Sequence, residues 1–178
     1  MHLPWHDTAP GEGPPISTSL LDVEAAKLGE LAAAAGDVLE IGSAFGYSAV
    51  VMALAGARVA AIDPHTWIPG SLPAMQHHLA SYEVAERVAI LQGLSVPVIG
   101  ELAAEGTRFG LVFVDGDHSA EAVRADVEAA RTVLAPGGVL AMHDFGEDCC
   151  CPGVRVALEG LFPDGPDELA GSLFVVKT

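Results

Sequence analysis

The sequence predicts a single α/β domain built on a doubly wound, mostly parallel sheet with helices on both faces. Three observations predict it. Continuous apolar runs alternate with stretches of helical periodicity along nearly the whole chain. Those runs show little polar alternation, as expected of strands covered on both faces. One run, Val38-Leu39, passes through Glu40-Ile41 into the turn Gly42-Ser43-Ala44-Phe45-Gly46, which opens a helix. Right-handed crossovers between such units wind the sheet in both directions.

The elements follow in order. Residues 1–16 are rich in proline and carry His2, Trp5 and His6; they read as an irregular arm. The domain proper is expected over residues 17–178. Ser19, three before Asp22, suggests an approximate capping box. Leu21, Ala25, Leu28 and Ala32 then recur at helical spacing until Gly36 stops the helix. The strand Val38–Ile41 is followed by a helix over Tyr47–Leu54 and a strand over Arg58–Ile62. Pro64, Pro69, Gly70 and Pro73 mark a loop before a helix near Ala74–Tyr82. A strand at Val88–Leu91, a helix near Val96–Ala104 and a strand at Leu111–Val114 come next. Ser119 caps a helix whose inner face is Ala120, Val123, Val127, Ala130 and Leu134. Pro136-Gly137-Gly138 is read as its end and Val139–Met142 as a strand. Val154–Leu161 is helical, and Ser172–Val176 is a last strand facing a short one near Glu168–Ala170.

The chain has 178 residues, which suits one domain, and 51% of them are hydrophobic, enough for a full core. Its formal net charge is -16. Such a surface repels phosphate backbones and anionic membranes, so neither nucleic acid nor membrane is an expected partner. No apolar stretch reaches the length of about 18 residues that spans a bilayer. The N-terminus lacks a basic region followed by an apolar segment, so no signal peptide is expected. The three cysteines, Cys149-Cys150-Cys151, are contiguous and odd in number, which fits free thiols in a cytoplasmic loop better than a disulfide framework. Adjacent thiols also diverge, unlike spaced metal ligands.

Ligands of a parallel α/β sheet sit at the carboxyl ends of its strands. There the sequence places Gly42–Gly46, Asp63-Pro64, Gly93-Leu94-Ser95, Asp115–His118 and His143-Asp144. Asp63 ends the second strand, about twenty residues after the glycine turn, where an acidic side chain binds both hydroxyls of a ribose. A nucleoside-containing cofactor is therefore expected. The Gly-x-Gly-x-x-Gly turn for a pyrophosphate is absent, and Glu40 adds negative charge suited to a cationic ligand group. Asp115 and Asp144 end neighbouring strands, so their carboxylates can converge as hard oxygen ligands for magnesium or a similar divalent cation. His118 or Asp117 is placed to act as general base, with His118 favoured by an unperturbed pKa of about 6.5. Adjacent His77 and His78 point apart on a helix and are expected at the surface. Trp67 could stack on a ligand, and Trp5 and His6 could close over one.

Val-Leu-Glu-Ile-Gly-Ser-Ala-Phe-Gly-Tyr-Ser over 38–48 resembles the first motif of class I S-adenosylmethionine-dependent methyltransferases. Phe-Val-Asp-Gly-Asp-His-Ser over 113–119 and Leu-Ala-Pro-Gly-Gly-Val-Leu-Ala-Met-His-Asp-Phe over 134–145 resemble one branch of that class. That branch is the small O-methyltransferases related to the macrocin and antibiotic-sugar enzymes, with a Rossmann-like domain. The likeness covers residues from about 17 to 178. It implies S-adenosylmethionine as cofactor, contacted by Glu40, Gly42, Ser43, Ala44, Phe45, Gly46, Asp63, Pro64, Leu94, Ser95 and Asp115. It also implies a divalent metal on Asp115, His143 and Asp144, which clamps oxygens of a small-molecule hydroxyl acceptor such as a sugar or phenol. Relatives usually carry an acidic ligand where His143 stands. Imidazole favours zinc, iron, cobalt or manganese over magnesium, so either the metal differs or His143 is no ligand. A metal-independent O- or N-methyltransferase with His118 as base, and a non-catalytic cofactor-binding domain, are the alternatives. The short arm supplies little mass to cap a substrate, so loops or a second subunit of a homodimer would close the site.

Overall fold

The computed structural model describes residues 5–146 and 151–178. The arm is not irregular. Strand β1 (His6–Thr8) pairs antiparallel with β2 (Ile16–Thr18), and the Pro- and Gly-rich segment between them is the loop of this small hairpin. Tyr82 anchors it. Its hydroxyl donates to the Pro14 carbonyl at 2.8 Å, and Gly13 lies against the ring so closely that a Cβ there would meet Cζ at 2.5 Å.

Helix α1 (Asp22–Ala35) starts two residues later than a Ser19 cap would place it. Ser19 does not cap it. Glu24 does part of that work, because its Oε2 accepts from the Leu21 amide at 2.7 Å. Strand β3 (Asp37–Ile41), α2 (Tyr47–Leu54), β4 (Arg58–Asp63), α3 (Ser71–Ser81) and β5 (Val88–Gln92) follow. The second half runs α4 (Ser95–Ala104), β6 (Phe109–Val114), α5 (Ala120–Val133), β7 (Leu134–Met142), α6 (Pro152–Leu161), β8 (Glu168–Ala170) and β9 (Leu173–Lys177). Pro136-Gly137-Gly138 lies inside β7 rather than before it. Leu134 pairs with Phe109, then the register shifts, and regular pairing resumes from Val139. The shift is what lets a proline and two glycines sit in this strand.

The main sheet has the order β5-β4-β3-β6-β7-β9-β8. Its first five strands are parallel; β9 and β8 add an antiparallel edge. Side chains alternate between two cores, as the two-residue strand period requires. Val38, Leu111, Phe113 and Val175 join Leu28, Val50 and Met75 from α1, α2 and α3. Leu39, Ile41, Val112, Leu140 and Phe174 join Ile99, Val127 and Leu158 from α4, α5 and α6. Among the described residues, no helix is long and apolar enough to cross a membrane.

The order in which strands are added to the sheet reverses between β3 and β6. Hydrogen bonding continues past the strands there: Gly42 N to Ile62 O at 2.8 Å, Asp115 N to Ile41 O at 2.8 Å and His143 N to Val114 O at 3.0 Å. The loops that leave these strands are thus fixed by the sheet itself, at the position where such folds bind ligands.

Candidate active site

A cavity of about 850 Å³ opens over the carboxyl ends of the parallel strands. That is within the range of about 300–1,000 Å³ for small-molecule sites. Gly42, Ser43, Ala44 and Phe45 form its floor, Asp63 and Pro64 one side, Leu94 and Ser95 another, and Asp115–Ser119 a third. The hairpin contributes Trp5 and the stretch from Ser17 to Leu20 as a roof. Trp5 packs edge-on against Phe45 with centroids 5.6 Å apart.

Gly42 cannot be replaced cheaply. Its φ is +89°, and a Cβ would stand 2.1 Å from the Asp115 carbonyl oxygen. The β3 and β6 loops touch backbone to backbone at this point, which leaves the turn open to a ligand. Ala44 adopts φ +43°, a region that costs an L-residue energy. Asp63 offsets the cost. Its Oδ2 accepts from the Ala44 amide at 2.8 Å and its Oδ1 from the His65 amide at 2.6 Å. The carboxylate therefore ties the turn after β3 to the tip of β4 and keeps further lone pairs for a ligand hydroxyl. Ser43 Oγ is buried at the cavity wall with no partner among the described residues, a donor left for a bound group.

Two of the expected cofactor residues lie elsewhere. Glu40 is fully buried beneath the turn, and Ser48 of α2 donates a short hydrogen bond to it. Burial pushes its carboxyl up to about 8; Ser48 opposes this, and Asp115 and Asp63 add to it. Gly46 caps α2 at φ +88°, and a Cβ there would meet the Met75 side chain, with Cγ at 2.8 Å, so α2 and α3 pack closely at this glycine. Neither residue lines the cavity.

Glu40 predicts a pH dependence. An acid whose pKa is higher in the folded chain takes up a proton on folding. Its contribution is therefore most favourable below about 4.5 and declines as pH rises to about 8. Glu40→Gln is expected to match the parent near pH 4.5 and to exceed it by about 2–4 kcal/mol near pH 9. Denaturant unfolding at the two pH values checks this.

Beside the cavity lies a chain of charges that joins four distant segments. His118 Nε2 is 2.8 Å from Asp144 Oδ2 and 3.7 Å from Asp115 Oδ1. His143 Nδ1 is 3.3 Å from Asp115 Oδ1 and 3.6 Å from Asp144 Oδ1, without good hydrogen-bond geometry to either. His143 Nε2 meets Glu24 Oε2 at 3.0 Å. Glu24 Oε1 in turn accepts from the amide and hydroxyl of Ser172 at 2.6 and 2.8 Å. Asp115 and then Asp144 raise the His118 pKa to about 10. Burial alone would neutralise His143, but Asp115, Asp144 and Glu24 around it hold its pKa well above the usual imidazole value. Burial likewise favours the acid form of Asp144 and of Glu24; His118 and His143 overrule it at Asp144, and His143 with the Leu21 and Ser172 amides does so at Glu24, so both pKa values fall.

The structure thus brings Asp115, His143 and Asp144 together, but only Asp115 of the three faces the cavity. His143 stands behind it. His118 and Asp117 both line the cavity. Asp117 Oδ1 accepts from the Ser119 amide at 2.7 Å, which lowers its pKa and shapes the turn before α5. A carboxylate held ionised this way is a weak base. Cys149 and Cys150 lie outside the described residues. The Cys151 thiol, at the start of α6, comes within 4.8 Å of ligand atoms on His118 and Asp144.

Sequence reasoning missed Glu24 altogether. An acidic residue in the first turn of a helix reads as an exposed cap, yet this one is fully buried. It also missed His78. His77 is exposed as expected, but His78 Nδ1 reaches the Phe45 carbonyl at 2.9 Å and braces the turn. Removing Glu24 strands a buried imidazolium and two Ser172 donors. Glu24→Ala is expected to cost about 3–5 kcal/mol of stability, measured by chemical denaturation.

A family model described as a methyltransferase domain matches residues 39–145, more than half of the chain, and spans the glycine turn together with Asp115, His118, His143 and Asp144 of the charge cluster. Solved structures share the architecture. The cofactor-bound Rv0187 from MTB is 26% identical with a TM-score of 0.67, covering 83% of this chain and 70% of that one. The O-methyltransferase TomG from Streptomyces achromogenes, in complex with SAM, is 25% identical with a TM-score of 0.66, covering 80% and 69%. An O-methyltransferase from Bacillus cereus, in complex with SAH, has a TM-score of 0.69 at 20% identity, covering 88% and 80%. With the family match falling on the segments that build the cavity, the chain belongs to the methyltransferase-domain family, within the class I S-adenosylmethionine-dependent methyltransferases that its motifs resemble.

Proposed function

We propose that this protein transfers the methyl group of S-adenosylmethionine to a hydroxyl of a small molecule such as a sugar or phenol. One observation carries the reading: the Asp63 carboxylate, locked between two backbone amides, and His118 line the same cavity on opposite sides. Asp63 would bind the ribose hydroxyls, the Gly42–Phe45 backbone the methionine portion, and Leu94 and Ser95 would border the adenine. The acceptor oxygen attacks the sulfonium methyl in line. A C–O bond forms, the C–S bond breaks, and the hydroxyl proton leaves; S-adenosylhomocysteine is the other product.

The proton needs a base. With Asp115 and Asp144 around it, His118 carries a proton at neutral pH and cannot accept another. It becomes a base only where the charge of those carboxylates is otherwise balanced. The residues fit a divalent cation. His143 offers a buried Nδ1 with no hydrogen-bond partner among the described residues, while Glu24 holds its Nε2, the arrangement of an oriented histidine ligand. Asp115, His143 and Asp144 would hold the ion. When bound it would supply positive charge that lowers the pKa of the acceptor hydroxyl. One imidazole and two carboxylates suit manganese, iron or zinc better than magnesium.

The test is S-adenosylhomocysteine production with vicinal-diol and phenol acceptors, with chelator and with added Mn²⁺, alongside thermal melting. Turnover restored by Mn²⁺, with a melting temperature that rises with the ion and no longer does so in Asp144→Ala, supports the reading. Cofactor binding with no turnover on any acceptor would favour a non-catalytic role.

A further inference from the structure

The cavity that would hold the acceptor contains no lysine or arginine. The chain has eight, all among the described residues, and every one lies away from it. Lys27 pairs with Glu30 and Glu168, Arg58 with Asp37 and Arg155 with Glu159. Arg87 and Arg108 donate to the Gly56 and Thr107 carbonyls. Arg124 reaches toward the Val156 carbonyl and Arg131 lies over the Phe162 ring; Lys177 is at the end of β9. Five carboxylates do line the cavity: Asp63, Asp115, Asp117, Glu121 and Asp126. Among the described residues, His118 is the one basic side chain there, and it is paired with Asp115 and Asp144.

The rest of the wall mixes apolar and aromatic side chains with uncharged hydroxyls such as Ser43, Ser95 and Ser119. Trp5, braced on Phe45, and Trp67, 69% exposed, are the large surfaces available to a ligand.

We infer that the acceptor is a ring-containing small molecule without an anionic group, neutral or amine-bearing, and that phosphorylated, nucleotide-activated and coenzyme A-linked acceptors are rejected. The inference rests on the proposed methyl transfer and narrows its acceptor class. A phosphate recognised by a protein needs Arg, Lys or a helix N-terminus turned toward it. Among the described residues, four helices begin at the cavity: α2 and α4 start at residues assigned to the cofactor, α3 starts at the buried Ser71, and the first turn of α5, beside Asp117 and His118, carries Glu121. A cation on Asp115 and Asp144 would leave Asp117 and Glu121 facing an incoming anion. Amine-bearing rings gain from those carboxylates and from the aromatic faces of the tryptophans.

The chain has two tryptophans, and both line this cavity, so intrinsic fluorescence reports on it directly. S-adenosylhomocysteine is titrated first; failure to bind strikes the proposed transfer activity and leaves the charge question readable in the unliganded protein. Four ligands with one dihydroxyphenyl ring and a neutral ethyl, an ethylammonium, a carboxylate or a phosphate tail are then titrated. The neutral and amine members are expected to bind at least about tenfold more tightly than the anionic ones. The ratio should shrink in high salt and in Glu121→Lys, a substitution at an exposed position. Equal or tighter binding by the anionic members overturns the inference. So does a ratio unmoved by both salt and Glu121→Lys, or no binding by the neutral and amine members.

Discussion

Gly42→Ala is expected to abolish measurable cofactor binding and to cost the fold about 3 kcal/mol or more. The new methyl would stand 2.1 Å from the Asp115 carbonyl oxygen, a backbone atom that the sheet holds in place through the Asp115 amide. Relief requires the β3 and β6 loops to separate. Their separation would break the continuity between the nucleoside half of the cavity and the charge cluster. Left-handed backbone at this position adds its own strain for alanine. A melting curve reads the first effect and calorimetric titration with S-adenosylmethionine the second. Gly46→Ala makes an informative control. It would clash with the Met75 side chain, which can move, so a smaller loss of stability with binding retained is the expected result.

Asp115→Asn is expected to lower the rate of methyl transfer by about a hundredfold or more, with a change in cofactor affinity of less than about tenfold. Asp115 faces both His118 and His143 and, of the proposed ligands Asp115, His143 and Asp144, is the one that opens to the cavity. The substitution keeps the shape and removes the charge. His143 then loses one of three carboxylates that hold its proton, and the proposed ion loses its ligand nearest the acceptor. Steady-state kinetics with cofactor and acceptor varied separately distinguishes the two effects.

Much of the fold was legible because parallel strands covered on both faces leave an unmistakable trace. Val38–Ile41, Arg58–Ile62 and Val88–Leu91 match β3, β4 and β5 to within a residue or two, since each is an apolar run closed by a glycine, proline or charge. The β7 start was misread for the same reason. Pro136-Gly137-Gly138 is a strong breaker locally, and only pairing with Phe109 across the sheet makes it strand. The hairpin of the arm was hidden because β1 and β2 have three residues each, too short for a period, and their anchor is Tyr82 far along the chain.

The site divides likewise. Gly42 and Asp63 were readable because their spacing is set by one strand–turn–helix–strand unit. Asp115 and His118 followed from the β6 tip. Glu24 was not readable: its partner His143 is 119 positions away, and nothing local marks a carboxylate destined for full burial. Glu40 was recognised as important but placed in contact with the cofactor. In the structure it is shielded by Ser48 and so serves the turn from beneath.

The most direct measurement is calorimetric titration of the parent protein and of Asp63→Ala with S-adenosylmethionine. Micromolar or tighter binding by the parent, weakened at least about tenfold in the variant, is the predicted pair of results. Absent binding by the parent, or unchanged affinity in Asp63→Ala, would contradict the placement of a nucleoside cofactor at the β3–β4 edge.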